Sequence, residues 1–392
     1  MQKLRTRKDF LYVIAIFLLS ALIFFLIVGL GVITDIQTHA RIIADSASGT
    51  RVVPSNFLYY LTIYALSFFQ NNMTIILGAS ALVLSVAVTL KYILTRKILY
   101  EYFAGISKEV VQPKRLTTLV TLVSFLLIFV FSLPSTNILQ GQFYIGQIPP
   151  NVWHNSTLIF LMPFALLLFW TSYQQLVSPK NSRIWIISLL VIVNILIKPN
   201  FFWVFLIVHP LLLATRIGVG KKLLLNVLPI AILGVLLLSV QYYFLNIYPD
   251  SATAAESGIK ISPFSVWSHH SSNIPLSILV SSFFPLVYLC FHWRQVPKNL
   301  LLKYAVSLYL VAISIFSVLS ETGPREFHGN FFWQCVACNY ILFMVVCILF
   351  LEKAPFNSKL RKKDKVIVTS FLLHVVFGVI YIGKMFLSGN FL

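Results

Sequence analysis

Eleven nearly uncharged apolar stretches, most close to twenty residues long, recur along this chain, and no other feature narrows its fold as much. They occupy 10–32, 73–94, 116–133, 156–176, 184–197, 201–215, 223–245, 275–292, 304–320, 331–351 and 366–387. A helix rises 1.5 Å per residue, so about twenty residues cross a hydrocarbon core roughly 30 Å thick. Lipid offers no partner to backbone N–H and C=O groups, which makes the helix the natural form for such stretches. Composition agrees: 58% of residues are hydrophobic and 10% are charged, against roughly 25% charged in a soluble domain. The expectation is an all-α polytopic integral membrane protein with about 11 transmembrane helices, one domain over 1–392. An ordinary soluble enzyme, a disulfide scaffold and a disordered chain are excluded.

Three stretches need comment. Residues 10–32 follow Lys3, Arg5, Arg7 and Lys8. They are longer than the apolar core of a cleavable signal, about 7–15 residues, so a retained first helix is expected. Residues 184–197 and 201–215 are short and flank Lys198-Pro199-Asn200. They form either two spans or a re-entrant pair. Phe57 to Phe69 is shorter still and lacks a basic flank. A helix lying at the membrane surface, or a re-entrant one, is expected there.

The net charge of +19 looks like a statement about partners until it is sorted by side. With the N-terminus in the cytoplasm and the spans alternating, 24 of the 30 Lys and Arg fall on the cytoplasmic side, 91–115 and 353–365 holding six each. The opposite side keeps Arg41, Arg51, Lys198, Lys260, Arg325 and Lys384. That asymmetry is the positive-inside pattern. The surplus suits anionic lipid headgroups, and no nucleic-acid motif accompanies it. A multi-pass protein of the inner, cytoplasmic membrane is expected, with the lipid bilayer as a partner and no nucleic acid.

The polar chemistry gathers on the outer side, in 33–72, 134–155, 246–274 and 321–330. These segments hold Asp35, Asp45, Asp250, Glu256, Glu321 and Glu326, and five of the eight His. Asp35 follows the first span directly, and His39 shares its face if a helix continues. A carboxylate at the edge of a low-dielectric region has a raised pKa, which suits a general base; a plain helix cap is the other reading. In 150–157, Trp153, His154 and Asn155 precede a new helix. They offer a sugar-stacking face and hydrogen bonds, or an interfacial anchor and a cap. Lys198 stands against the charge rule, either to hold a phosphate or to reach headgroups. Trp267, His269 and His270 form a glycan or headgroup platform or an anchor; adjacent His side chains point apart, which disfavours a shared metal. Glu321, Arg325, His328, Asn330 and Trp333 lie within thirteen residues. Arg325 can grip phosphate oxygens at two points, or simply pair with a Glu. Cys335 and Cys338 read as buried thiols, and His209 and His374 as interhelical hydrogen bonders.

These elements together resemble the GT-C superfamily, polytopic glycosyltransferases that use polyprenyl-phosphate-linked sugars. The resemblance rests on the acid Asp35 at the outer end of an N-in first helix, Asp35-x-x-x-His39, the long first external loop with its surface helix, the Pro150–Thr157 stretch, Lys198-Pro199-Asn200, and Glu321…Arg325…His328-Gly329-Asn330-Phe331. Bacterial polysaccharide-locus membrane proteins and phage-type O-antigen glucosyltransferases are similar. GT-C enzymes often carry two neighbouring acids in the first loop; this chain has Asp35 and the more distant Asp45. The resemblance implies sugar transfer from a polyprenyl-phosphate-sugar donor to a glycan or lipid-linked saccharide acceptor, with inversion. Asp35 would be the base. Arg325, with Lys198, His154 or His328, would hold the leaving phosphate. Trp153, Trp267 or Trp333 would carry the sugar. No organic cofactor is implied, and a divalent metal stays open. A polysaccharide polymerase or ligase shares these requirements. A membrane acyltransferase would rely on a membrane-edge His, and a transporter or flippase would show inverted repeats and charges inside the membrane.

Overall fold

The computed structural model describes residues 7–105, 113–135, 146–179, 183–247, 258–353 and 360–391. Lys3, Arg5, Glu109, Lys180, Asp250 and Glu256 lie outside the described residues. Within them the chain is an all-α multi-pass membrane protein. Eight helices are long and apolar enough to cross a membrane, or up to nine if one bent pair is a single span. The eight are α1 (Arg7–Gly29), α4 (Met73–Gly105), α6 (Ser156–Val177), α8 (Asn200–Ile217), α9 (Lys221–Ile247), α13 (Leu300–Val318), α14 (Trp333–Lys353) and α15 (Lys362–Ser388). Burial divides them. α14 is enclosed along nearly its whole length, whereas α1 and α9 leave most of their apolar surface outward. An apolar helix with an uncovered face is at home in lipid.

The remaining apolar stretches are also helical. α7 (Ile184–Ile197) fills the stretch expected of it, whereas α5 (Pro113–Leu126) stops partway through 116–133. α10 (Ser265–His270) is a short helix, and α11 (Ile274–Ser281) and α12 (Phe283–His292) meet at 81°. Between α1 and α4 lie α2 (Asp35–Ala47) and α3 (Leu58–Leu66). α3 is not simply laid on a surface: Tyr59, Tyr60 and Ile63 are buried. Its polar-poor sequence gave no sign of which face would be covered. A small two-stranded sheet pairs β1 (Ile259–Ile261) antiparallel with the distant β2 (Leu319–Glu321), Lys260 opposite Ser320.

Each break needs partners for the backbone groups it releases, because hydrocarbon supplies none. Beyond α5 the chain makes a turn and then passes against α15 without regular structure. Phe131 N–H donates to the His374 carbonyl at 3.0 Å. The His374 ring donates Nδ1–H to the Phe131 carbonyl and accepts from Phe284 N–H at 3.2 Å through Nε2. Asn151 donates to the carbonyls of Leu127 and Val130, at 2.7 and 3.2 Å. At the 81° bend, Asn339 of α14 donates to the carbonyls of Ser281 and Ile148. His374 is thus the satisfied interhelical hydrogen bonder expected of it; His209 bonds Gln175 at 3.1 Å through Nε2, and its buried Nδ1 is left without a partner.

The unwound segment can approach α15 closely because position 378 is glycine. A Cβ at Gly378 would overlap the carbonyl oxygen of Phe129, whereas one at Gly383 would meet open space. Gly378→Val should therefore lower stability by about 3 kcal/mol or prevent folding, as overpacking against immovable backbone does. Gly383→Ala is the control. Thermal unfolding of the two purified variants checks this, and equal melting temperatures would refute the close approach.

Candidate functional site

Asp35 opens α2. Thr34 is the N-cap, its hydroxyl accepting from Ile36 N–H at 3.3 Å, and Gln37 closes a capping box. Asp35 itself is therefore released from capping. As the first helical residue it sits where the helix dipole favours an anion. Its backbone N–H donates to the His154 carbonyl at 3.2 Å, which ties α2 to the segment entering α6.

That segment brings Asn155 to the carboxylate. Asn155 Nδ2 donates to Asp35 Oδ2 at 2.7 Å. The other end of the amide caps α6: Oδ1 accepts from Leu158 N–H at 3.0 Å and from the Thr157 hydroxyl at 3.2 Å. A capping oxygen must face the helix N-terminus, so the amide nitrogen is turned toward Asp35. Lys198, at the end of α7, donates to Thr157 Oγ1 at 3.0 Å and reaches Asn155 Oδ1 at 3.5 Å. Its ammonium stands 5.1 Å from the centre of the Trp333 ring. Cation and carboxylate thus share one neutral intermediary.

One turn beyond Asp35, His39 Nδ1 lies 2.8 Å from the Tyr60 hydroxyl. The imidazole meets Tyr59 and Tyr60 edge-on. Burial pushes its pKa down to about 3, and the charges of Lys198 and Arg51 push the same way. His39 is a neutral donor or acceptor at physiological pH. Burial raises the Asp35 pKa above the usual carboxylate value, against the opposing effects of Lys198 and Asn155. Burial lowers Lys198 to about 8; Asp35 opposes this and Arg325 adds to it. His154, 1% exposed, is likewise held neutral by burial and by Lys198, near 3. Its Nδ1 is 2.7 Å from the Tyr381 hydroxyl and its ring stacks on Phe391.

The 321–333 segment closes on this group from the other side. Asn200, two residues after Lys198, donates to the Asn330 carbonyl at 2.6 Å and to Gln334 at 3.2 Å. Asn330 donates to Glu321 Oε2, which also lies 3.5 Å from Arg325 Nε. Glu326 pairs with Lys260 of β1 at 2.8 Å.

The structure therefore draws together Asp35, His39, His154, Asn155, Lys198, Glu321, Arg325, Asn330 and Trp333 from four separate parts of the chain. Trp153 and Trp267 are corrections. Trp153 is in the core against Phe24 and Phe129. Trp267 is fully buried against Phe316 and donates to the Gly146 carbonyl at 2.7 Å. Neither ring keeps a face for a sugar, because a large apolar ring gains more by completing the core. His269 stacks on Phe327, and the neighbouring His270 bonds the Phe327 carbonyl. His328 is exposed on the same loop. Tyr60, Thr157 and Arg51 also act on this group, and of these only the charge of Arg51 stands out in the sequence. Among the described residues no cluster of three His, Cys, Asp or Glu is set to hold a metal ion, and the four cysteines are unpaired.

No protein-family model matches this chain, and no curated protein matches it.

The Coulombic tie between Lys198 and Asp35 has a measurable sign. The lysine lowers the carboxyl pKa, so Lys198→Met should raise it further. Infrared difference spectra across a pH titration, read at the protonated-carboxyl stretch and assigned with Asp35→Asn, should show the midpoint moving upward. An unchanged midpoint would mean that the two groups do not interact.

Proposed function

We propose that this protein is a glycosyltransferase that moves a sugar from a polyprenyl-phosphate donor to a saccharide acceptor at the outer face of the membrane. One observation carries the reading: a carboxylate with a raised pKa lies beside a half-buried lysine, with an arginine behind it, at the helix ends. Asp35 takes the proton of the acceptor hydroxyl. The oxygen attacks the anomeric carbon as the bond from that carbon to the phosphate oxygen breaks. Lys198 and Arg325 offset the charge that gathers on the departing lipid phosphate. One displacement inverts the anomeric centre. Trp333, beneath the Lys198 ammonium, offers its ring to the sugar.

The charge asymmetry of the sequence supports an outer location for this cluster. A donor whose tail stays in lipid suits a site at helix ends. A polymerase or ligase would use the same groups on a larger donor. The acyltransferase reading would assign the base to His39. Its Nδ1 is engaged by Tyr60, which favours a positioning role. The transport reading asks for charges among the helices, and Lys91 is one: counted above with the cytoplasmic basics, it is buried at 7% exposure. Its cavity has room for a single small particle rather than a sugar.

Two substitutions test the reading in cells lacking the endogenous gene, with the surface glycan analysed by mass. Asp35→Asn should cut transfer about 100-fold or more while the protein still accumulates in the membrane. A glycan of normal mass in that strain would remove Asp35 as the base. Arg325→Ala should leave the acceptor dependence unchanged and weaken donor use by about tenfold or more; unaltered transfer would take Arg325 out of the phosphate site. Loss of one hexose per repeat on deletion fits the transferase, loss of chain length fits a polymerase, and loss of an acyl mass fits an acyltransferase.

A further inference from the structure

Lys91 is the charge that the proposed reaction leaves unused. It lies within α4, between Leu90 and Tyr92, and is 7% exposed. Its ammonium donates to Asn151 Oδ1 and stands 4.8 Å from the centre of the Tyr340 ring. Both partners are neutral. Among the described residues no carboxylate pairs with it. Neither partner can be replaced by rotation. The Asn151 nitrogen is committed to the Leu127 and Val130 carbonyls, so its oxygen must face Lys91. The Tyr340 hydroxyl is held by Thr95 at 2.8 Å.

An ammonium removed from water without a counter-charge is strongly disfavoured. An aromatic face offsets part of this and favours the charged form over the free amine. A lysine has three N–H donors. Asn151 takes one and the Tyr340 face attracts another. A small cavity adjoins the side chain, lined by Lys91, Pro150, Asn151, Trp153, Met162 and Val336. It leaves about 10 Å³ for the centre of a water-sized particle, which is room for one particle of that order. Met162 and the lysine stem are flexible enough to admit a sphere slightly larger than water. A tetrahedral oxyanion is too large.

We propose that this cavity binds a chloride-sized monovalent anion as the counter-ion of Lys91. The ion completes the charge balance inside the bundle. Through Lys91 and Asn151 it steadies the segment that carries His154 and Asn155 toward Asp35. The proposal is independent of the sugar-transfer reading, since it concerns a different cation and is read without any substrate.

The test uses the purified full-length protein exchanged into gluconate, then titrated with chloride or bromide at constant ionic strength. The expected result is a saturable rise in melting temperature, about 5 °C when halide exceeds its Kd a hundredfold. Sulfate should produce no such rise, and Lys91→Met should lose the response. Crystals grown in bromide should show an anomalous peak in the cavity, in contact with Lys91 Nζ. Identical melting in gluconate and chloride would overturn the proposal, as would a halide response that persists in Lys91→Met. Should Lys91→Met not fold, the bromide peak and the wild-type anion exchange decide the matter, and a bromide-free cavity refutes it.

Discussion

Interrupted helices persist inside this bundle because buried amides and imidazoles accept or donate the backbone hydrogen bonds that each interruption releases. Asn151 serves the end of α5, Asn339 the bend between α11 and α12, and His374 both the unwound stretch and the start of α12. An unsatisfied peptide group in an apolar medium costs several kcal/mol. Without these side chains the chain would have to remain a set of uninterrupted rods. Their presence lets it turn inside the apolar layer.

The candidate site is a product of those turns. The segment before α6 is pinned at Ile148 by Asn339 and Ser281, and at Asn151 by the end of α5. It is then led past α15, where His154 meets Tyr381 and Phe391. Only after that does it deliver Asn155 to Asp35. The break at Lys198 and Pro199 similarly places an ammonium beside Thr157 and an amide beside Asn330. Strong interactions between the charged groups follow from the setting. They are partly removed from water, so burial raises the Asp35 pKa and lowers that of Lys198, while each moderates the shift of the other.

Several sequence alternatives turn out not to exclude one another. Asn155 could be read as a helix cap or as a functional amide, and its two ends do one job each. Asp35 could be read as a cap, but Thr34 takes that role and leaves the carboxylate to its neighbours. Arg325 and Glu321 form the salt bridge expected of a structured loop, and the arginine still lies close enough to act on Lys198 electrostatically. Trp153 and Trp267 went the other way. A tryptophan next to a polar residue looks the same in sequence whether its ring faces solvent or core. Both rings are covered by phenylalanines distant in the chain.

The sequence by itself determined the solvent this protein is built for and, in the main, the positions of its apolar helices. Those properties follow from composition and spacing along one dimension. The tertiary structure alone decided where α5 ends, that α3 buries two tyrosines, that Lys91 is enclosed, and which polar residues from four distant segments meet around Asp35. Each of these depends on which helix passes beside which. That in turn is set by packing and by the pairing of buried polar groups with partners distant in the chain, which local sequence does not encode.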